Sequence, residues 1–343
     1  EIIPYWRGDG DYKRHWFYQN YAGLPPETRN TLYGDPDPDL KKIGIITRSK
    51  PPAMPYVDFK EIPGQTTGLG RGFISDGMTR HHIGHSSFGY RKVLKKGFLG
   101  ILQDARDRLA RVDWNDPEDQ RKVPFIKGVI IAMEAAAKIG EKFAASIRAE
   151  IPREKDPERK AELEKMASIC EQVPAKPART FHEALQSVWF TQILNWAETP
   201  IVFAVCPGRV DQYLYPYYEA EVLNGDMTQE EAQELLECLW IKFAEQCWLL
   251  NTNCSEYFAG YQGFFNVPVG GVKADGEDAT NELSYMMLQA TMDVRLFSPS
   301  LAVRLHRNCP EEFLLKIAEL VRLGTGYPAI HNDEVGIKAL LRK

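Results

Sequence analysis

Three of the seven histidines in this 343-residue chain lie within five consecutive positions. His81, His82 and His85 lie in R-H-H-I-G-H, and imidazole donates, accepts or shuttles protons near neutral pH. Histidine pairs also bind zinc, but Gly84 interrupts the cluster and no glutamate follows His81 as H-E-x-x-H requires. We therefore expect polar contacts from this segment and no metal site.

The cysteines carry a weaker signal. None of the six forms a C-x-x-C pair, so a zinc knuckle is not expected and reduced thiols are the default. Cys309 precedes Pro310, where a helix N-terminus would lower the pKa of a thiol. Even so, we expect Cys309 and Cys206 to be unreactive, because a lone cysteine is more often a small buried residue than a nucleophile.

A dense aromatic set precedes a predicted strand. Each ring alone is explained by core packing. Together they border a strand end, where β/α proteins place their ligands, so we expect some of them to line a pocket. The set comprises Trp248, Tyr257, Phe258, Tyr261, Phe264 and Phe265.

Composition excludes several classes of protein. Hydrophobic residues make up 44% of the chain, enough for a sizeable core. The net charge is -5 with both signs interspersed, which argues against nucleic-acid binding. No apolar run is long enough to cross a bilayer and no signal peptide is visible, so we expect a cytoplasmic protein. Both ends look cut, and we expect a fragment or a partial gene product.

The elements that position these residues change along the chain. Residues 1–95 are rich in Pro, Gly, His and aromatics, which predicts an irregular segment. Helical spacing follows, and 96–200 is assigned to a helical shell. Over 201–343, strand and helix patterns alternate three times, which predicts parallel strands with helical crossovers and an open part of a β/α barrel. The predicted strands are 264–269, 300–307 and 327–332.

Start signals support the helices. Thr180 with Glu183 predicts one capping box, and Thr228 with Glu231 predicts another. After the second box, apolar residues repeat every three to four positions, which predicts one buried helix face. They are Leu235, Leu236, Leu239, Trp240 and Phe243.

Two specific segments resemble the pyruvate formate-lyase-like glycyl radical enzymes. They are P-G-R-V-D-Q-Y-L-Y-P-Y-Y-E-A at 207–220 and L-L-E-C-L-W-I-K-F at 235–243. The resemblance extends over nearly the whole chain. It implies an α/β fold with a helical shell around a ten-stranded barrel of two five-stranded halves. This chain would supply the first part of the shell and the first half-barrel.

The resemblance implies radical chemistry whose reactive residues lie elsewhere. Family members hold a thiyl-forming cysteine, commonly in G-C-V-E, and a glycyl radical near the C-terminus. Both are expected beyond Lys343, so no catalytic residue is assigned within the chain, and the chain alone is expected to be inactive. No bound cofactor is expected. The implied partners are a small-molecule substrate, a radical S-adenosylmethionine activating enzyme that installs the radical, and a second subunit in a homodimer or complex.

The resemblance also assigns substrate-binding positions. His85 matches a substrate-contacting histidine of the glycerol and hydroxyproline dehydratases, and Phe264 matches an aromatic residue of the pocket wall. We expect both to face one cavity. Phe203 replaces a polar or acidic residue, and Ala204 and Cys206 fall where the glycerol enzyme offers serines. A dehydratase needs acid/base groups within reach, so Phe203 argues against a polyol substrate.

An apolar wall favours a hydrocarbon or aromatic substrate. Phe265, Trp248, Leu249 and Leu250 are the remaining wall positions. We therefore expect addition of a hydrocarbon to fumarate, as in benzylsuccinate and alkylsuccinate synthases. A glycyl radical dehydratase and an arylacetate decarboxylase stay open as alternatives. So does a different class, a non-catalytic piece or subunit that needs a C-terminal partner.

Overall fold

The structure, a computed structural model, describes residues 86–198, 205–246 and 266–341. Helices dominate these ranges, and a short 3₁₀ helix covers Ile151–Arg153. The α-helices are α1 Tyr90–Ala110, α2 Pro117–Ala136, α3 Ile139–Glu150, α4 Pro157–Gln172, α5 Phe181–Glu198, α6 Val210–Asn224, α7 Gln229–Ala244, α8 Glu282–Val294, α9 Glu311–Arg322 and α10 Asp333–Leu341. None of these helices combines the length and apolar character that a membrane crossing requires.

All strand pairings among the described residues are parallel. The strands are β1 Ser86–Ser87, β2 Val205–Cys206, β3 Asn266–Gly270, β4 Ser300–Leu305 and β5 Ala329–Asn332. β1 pairs with β2, and β4 lies between β3 and β5. Helix α8 connects β3 to β4 and α9 connects β4 to β5, so the predicted parallel strands with helical crossovers are confirmed.

Side-chain contacts show that β2 and β3 also run in the same direction. The backbone N–H of Asn266, at the start of β3, donates to the thiol of Cys206 at 3.3 Å. Arg209, just after β2, donates to the carbonyl of Gly270 at the end of β3. Cys206 in β2 contacts the start of β3, and Arg209, three residues later, contacts the end of β3. The two segments therefore run in the same direction. Five parallel strands are the content expected of half a ten-stranded barrel.

The main core lies between this sheet and helices α5 to α9. Leu236, Leu239, Trp240 and Phe243 are buried on one face of α7, which confirms the predicted apolar stripe. The indole N–H of Trp240 donates to Thr291 of α8 at 3.0 Å, so the largest buried side chain has its polar atom paired.

The helix starts differ in detail from the predictions. Thr228 and Glu231 form the predicted reciprocal capping box of α7. At α5 the Thr180 hydroxyl accepts from the N–H of Glu183 at 3.1 Å, but the Glu183 carboxylate accepts from the N–H of Arg179 at 2.7 Å. Glu183 also binds the Arg179 guanidinium, which draws the carboxylate one residue upstream.

Regular structure starts earlier than the predicted segment boundary at 95. Strand β1 and the first turn of α1 precede that position, because Tyr90 and Leu94 are buried in the main core. The sequence pattern over residues 279–294 predicts a helix, and helix α8 starts three residues later than that prediction, at Glu282. The side chain of Asn281 accepts from the N–H of Ser284 at 3.2 Å and thereby caps the helix.

Candidate functional site

The predicted pocket residues all lie outside the described residues. They are His85, Phe203, Trp248, Leu249, Leu250, Phe264 and Phe265. Three of them, His85, Phe203 and Phe265, lie one or two positions before the first residue of a strand: Ser86 of β1, Val205 of β2 and Asn266 of β3. We call Ser86, Val205 and Asn266 the amino edge.

One premise about the aromatic set is wrong. Phe264 and Phe265 precede Asn266, so the set lies before the amino end of β3. In β/α proteins of parallel strands, ligands bind at the carboxyl ends. The expectation of a pocket at this place therefore rests on the family resemblance alone.

Close contacts between strands build the amino edge. Ser86 is the register partner of Val205, and the Asn266 N–H donates to the Cys206 thiol. Burial raises the pKa of that thiol, so it stays protonated and unreactive, as predicted. The Oδ1 atom of Asn266 is buried and has no hydrogen-bond donor among the described residues. An acceptor is therefore held next to the predicted pocket positions.

A chain of hydrogen bonds between neutral side chains holds the backbone at the amino edge. The Tyr90 hydroxyl donates to Oε1 of Gln192, and Nε2 of Gln192 donates to the Val205 carbonyl at 3.2 Å and to Gln246 Oε1 at 3.4 Å. The Tyr90 ring stacks on Tyr213 with centroids 6.0 Å apart. Burial raises the pKa of Tyr90, so its hydroxyl stays neutral. Helices α1 and α5 thereby fix the backbone where β2 begins.

The P-G-R-V-D segment at 207–211, part of the motif that resembles the family, binds the carboxyl end of β3. Arg209 donates to the Val272 carbonyl at 2.9 Å and to the Gly270 carbonyl at 2.5 Å. The Oδ2 atom of Asp211 accepts from the Gly270 N–H at 2.9 Å and from the Ser284 hydroxyl at 2.8 Å. We call residues 270–272 and 304–306, at the ends of β3 and β4, the carboxyl edge.

Burial shifts both charges of this clamp toward neutrality. Desolvation raises the pKa of the fully buried Asp211 carboxyl, and hydrogen bonds from Gly270 and Ser284 offset part of the shift. Desolvation also lowers the pKa of the Arg209 guanidinium. The clamp orders the end of β3 and the start of α8, which is a structural role for the P-G-R-V-D segment.

An ion pair between Arg304 and Asp333 also lies at the carboxyl edge. Arg304 of β4 donates two bonds of 2.8 Å to the Asp333 carboxylate, whose Oδ2 atom also accepts from the Val272 N–H at 2.9 Å. Gly271 has φ +80°, and a Cβ atom there would lie 2.6 Å from Asp333 Oδ2. The predicted strand end at Gly270-Gly271 is therefore also a place where only glycine fits the chain.

Beside this edge lies a group of residues that the sequence analysis did not bring together. The His306 Nε2 atom is 2.9 Å from Oδ1 of Asp278, and the His306 N–H donates to the Cys309 thiol at 3.2 Å. The predicted lowering of the Cys309 pKa is wrong. Burial raises this pKa, and the negative charges of Asp278 and Asp333 act in the same direction. Only the spacing H-x-x-C was visible in the sequence.

Two cavities open on the helical side of the described residues. One of about 460 Å³ is bordered by Tyr215, Lys273, Tyr285 and Pro310. The other, of about 980 Å³, lies along α7, α8 and α9 and is lined largely by glutamate and glutamine side chains. Neither includes a described residue of the amino edge.

Helices packed against parallel strands that are joined by helical crossovers define the class of α/β proteins to which β/α barrels belong. Residues 59–343 match the family model "Pyruvate formate lyase-like", and the chain belongs to this family. It is 41% identical over 339 residues to isethionate sulfite-lyase of Nitratidesulfovibrio vulgaris, covering 97% of this chain and 36% of the relative.

Solved structures show the same fold. The glycerol-bound B12-independent glycerol dehydratase of Clostridium butyricum superimposes with a TM-score of 0.72 and 40% identity, over 76% of this chain and 33% of that one. A glycyl radical enzyme of Archaeoglobus fulgidus gives 0.71 and 34%, over 76% and 33%. The chain thus spans about a third of the length of these relatives.

Proposed function

We propose that this chain is the N-terminal part of a glycyl radical lyase that expels a leaving group next to a hydroxyl-bearing carbon. The preferred reaction is release of sulfite from 2-hydroxyethanesulfonate, isethionate. The 41% identity with isethionate sulfite-lyase over 97% of this chain carries the proposal. The reaction balances without an oxidant, because isethionate yields acetaldehyde and hydrogen sulfite.

The expectation of hydrocarbon addition to fumarate is not supported by these relatives, which are a sulfite-lyase and a dehydratase. Phe203 takes on a different meaning in this setting. Hydroxide is a strong base and needs an acid to leave, whereas sulfite is a far weaker base and leaves without one. An apolar residue at this position therefore favours sulfite release over the alternative, dehydration.

The remaining parts of the proposal concern the complete protein. A thiyl cysteine and a radical glycine would be supplied by sequence beyond this chain, and a radical S-adenosylmethionine enzyme would install the radical. The complete protein would work as a homodimer or a complex. The amino edge would contribute one wall of the substrate chamber, because His85, Phe203, Phe264 and Phe265 lie one or two positions before its three strands in the sequence.

The test uses the complete protein that carries this chain, activated anaerobically by its activating enzyme. We expect sulfite release from isethionate to exceed dehydration of glycerol, 1,2-propanediol and trans-4-hydroxyproline. Activity confined to a diol or hydroxyproline would select the dehydratase alternative. Turnover of toluene with fumarate would overturn both.

A control separates the enzyme from the rival class. The 343-residue chain alone should give no glycyl signal in electron paramagnetic resonance after the same activation. Absence of the signal from the complete protein as well would favour a non-catalytic subunit.

A further inference from the structure

Asp278, His306 and Cys309 bring three metal-binding atoms together at the ends of β3 and β4. A carboxylate oxygen, an imidazole nitrogen and the thiol sulfur all lie within 4.8 Å of one another. His306 directly follows β4, Cys309 precedes α9, and Asp278 lies in the loop between β3 and α8. The cluster therefore joins two separate stretches of the fold, the loop after β3 and the turn after β4. We call these residues the carboxyl-edge triad.

Neighbouring groups hold each member of the triad in position. Asp278 accepts from the hydroxyl of Thr280 at 2.9 Å. The side chain of His306 is only 5% exposed. The N–H of Cys309 donates to the His306 carbonyl at 3.1 Å, and the Cys309 sulfur accepts from the His306 N–H at 3.2 Å. This tight turn keeps the imidazole and the thiol on the same side of the chain.

We propose that the carboxyl-edge triad binds one zinc ion or a similar divalent transition-metal ion. Sulfur, nitrogen and oxygen donors in one set suit a borderline ion such as Zn²⁺, whereas Mg²⁺ and Ca²⁺ take oxygen ligands alone. Three protein ligands leave a fourth tetrahedral position for water or another small ligand.

Binding has a defined proton balance. The metal ion takes the place of the hydrogen bond between His306 Nε2 and Asp278, and the ring proton moves to Nδ1. The Asn308 N–H, which lies 3.3 Å from Nδ1, moves aside. The Cys309 thiol loses its proton to solvent, so one proton is released for each ion bound.

The cavity of about 460 Å³ provides a route to the site. Ala279 and Pro310 line this cavity, and they are the chain neighbours of Asp278 and Cys309. Glu282 and Lys273 both line the cavity, so its rim carries one negative and one positive side chain. An ion bound here would tie the loop after β3 to the turn after β4.

The test uses the metal-free 343-residue chain under reducing, anaerobic conditions, titrated with Co²⁺ and then Zn²⁺. We expect one equivalent of Co²⁺ to bind with a thiolate-to-cobalt charge-transfer absorption, and Zn²⁺ to displace it. Cys309→Ser should abolish this absorption and Asp278→Asn should weaken Zn²⁺ binding at least about tenfold. Cys238→Ser, at another half-buried thiol, should leave both unchanged. A wild-type titration without the absorption, or the same absorption in Cys309→Ser, overturns the proposal.

A second measurement needs no variant and therefore does not depend on variant folding. Alkylation of the wild-type chain is followed residue by residue by mass spectrometry, with and without Zn²⁺. The ion should protect Cys309 at least about tenfold, since a metal-bound thiolate is not free to react, and leave Cys238 unaffected. Equal alkylation of Cys309 in both samples contradicts a zinc site here.

Discussion

The two ends of β3 are built from different chemistry. At its amino end, Asn266 meets a protonated thiol, and the nearby backbone is held by the neutral Gln192 amide. At its carboxyl end, the half-buried Arg209 and the buried Asp211 both bind the backbone of a single residue, Gly270. At the amino edge, the described residues that contact β3 are neutral. At the carboxyl edge, the residues that contact β3 include charged side chains.

The contrast shows how stability and function are divided along one strand. At the carboxyl edge, Arg209, Asp211 and the Arg304–Asp333 pair bind protein groups and hold the fold, although Arg209 Nε and Asp211 Oδ1 are buried with no partner among the described residues. At the amino edge, Asn266 keeps a buried acceptor for which the described residues offer no donor. A buried acceptor left open in this way costs free energy unless something else uses it.

The largest effect should follow from removing the Asp211 carboxylate. Asp211→Ala leaves the Gly270 N–H and the Ser284 hydroxyl without their acceptor, and we expect a loss of about 3 kcal/mol in the free energy of unfolding. Urea denaturation measures it. Asp226→Ala, at an exposed position just after α6, should change this free energy by less than about 0.5 kcal/mol. If Asp211→Ala and Asp226→Ala lowered the free energy of unfolding equally, the hydrogen bonds of Asp211 at the carboxyl edge would contribute nothing specific to stability.

A substitution of Arg304 tests the ion pair between Arg304 and Asp333. Arg304→Ala leaves the Asp333 carboxylate, which is 7% exposed, without its guanidinium, and we expect a loss of about 2 kcal/mol. Arg307→Ala breaks an exposed pair between the same two elements, with Glu334, and should have no measurable effect. Thermal unfolding of the two variants compares them directly, and a reversed order would contradict the burial argument.

A smaller effect depends on pH. Burial raises the pKa of Asp211 in the folded chain, so the folded state keeps its proton to higher pH than the unfolded state. Stability from the protonated carboxyl is therefore fully present below the ordinary pKa of 3.8 and is lost as pH rises through the folded pKa. Asp211→Asn cannot lose a proton there. Its unfolding free energy relative to wild type should increase with pH over this window, and a flat difference would exclude the raised pKa.

The smallest stability effect is expected at the amino edge. Asn266→Ala removes an acceptor without a described donor, so the free energy of unfolding should change by less than about 0.5 kcal/mol. In the complete enzyme the same change should lower turnover, because the proposed chamber loses a polar group. Asn115→Ala, at an exposed loop position, should change neither property. A large loss in the free energy of unfolding with normal turnover would show that Asn266 stabilises the fold and does not serve the substrate chamber.

Local patterns predicted the sheet better than the site. Alternation over 300–307 and the helix starts near Pro310 and Thr228 are properties of neighbouring residues, so strand β4 and helices α9 and α7 could be predicted from them. The grip of Asp211 on Gly270 joins residues far apart in sequence, and no local pattern encodes such a contact. The family resemblance identified the motif but not its structural role.

Burial explains the remaining errors. Cys309 precedes a helix, a place that lowers thiol pKa values, yet partial burial and the nearby charges of Asp278 and Asp333 raise its pKa instead. Position along the sequence could not give this balance, because Asp278 and Asp333 approach the thiol only in the folded chain. The pocket assignments at His85, Phe203 and Phe264 stay predictions.

Strand β4 lies between β3 and β5, and this position determines how fast the backbone amides of the sheet exchange with solvent. Val303 faces Val269 on one side and Ile330 on the other, and it is fully buried, whereas every residue of β5 is exposed. Amide hydrogens of β4 should therefore exchange with solvent deuterium only when the whole sheet opens, while those of β5 exchange through local fraying. Exchange would thus proceed as a gradient across the strands, fastest at β5 and slowest at β4.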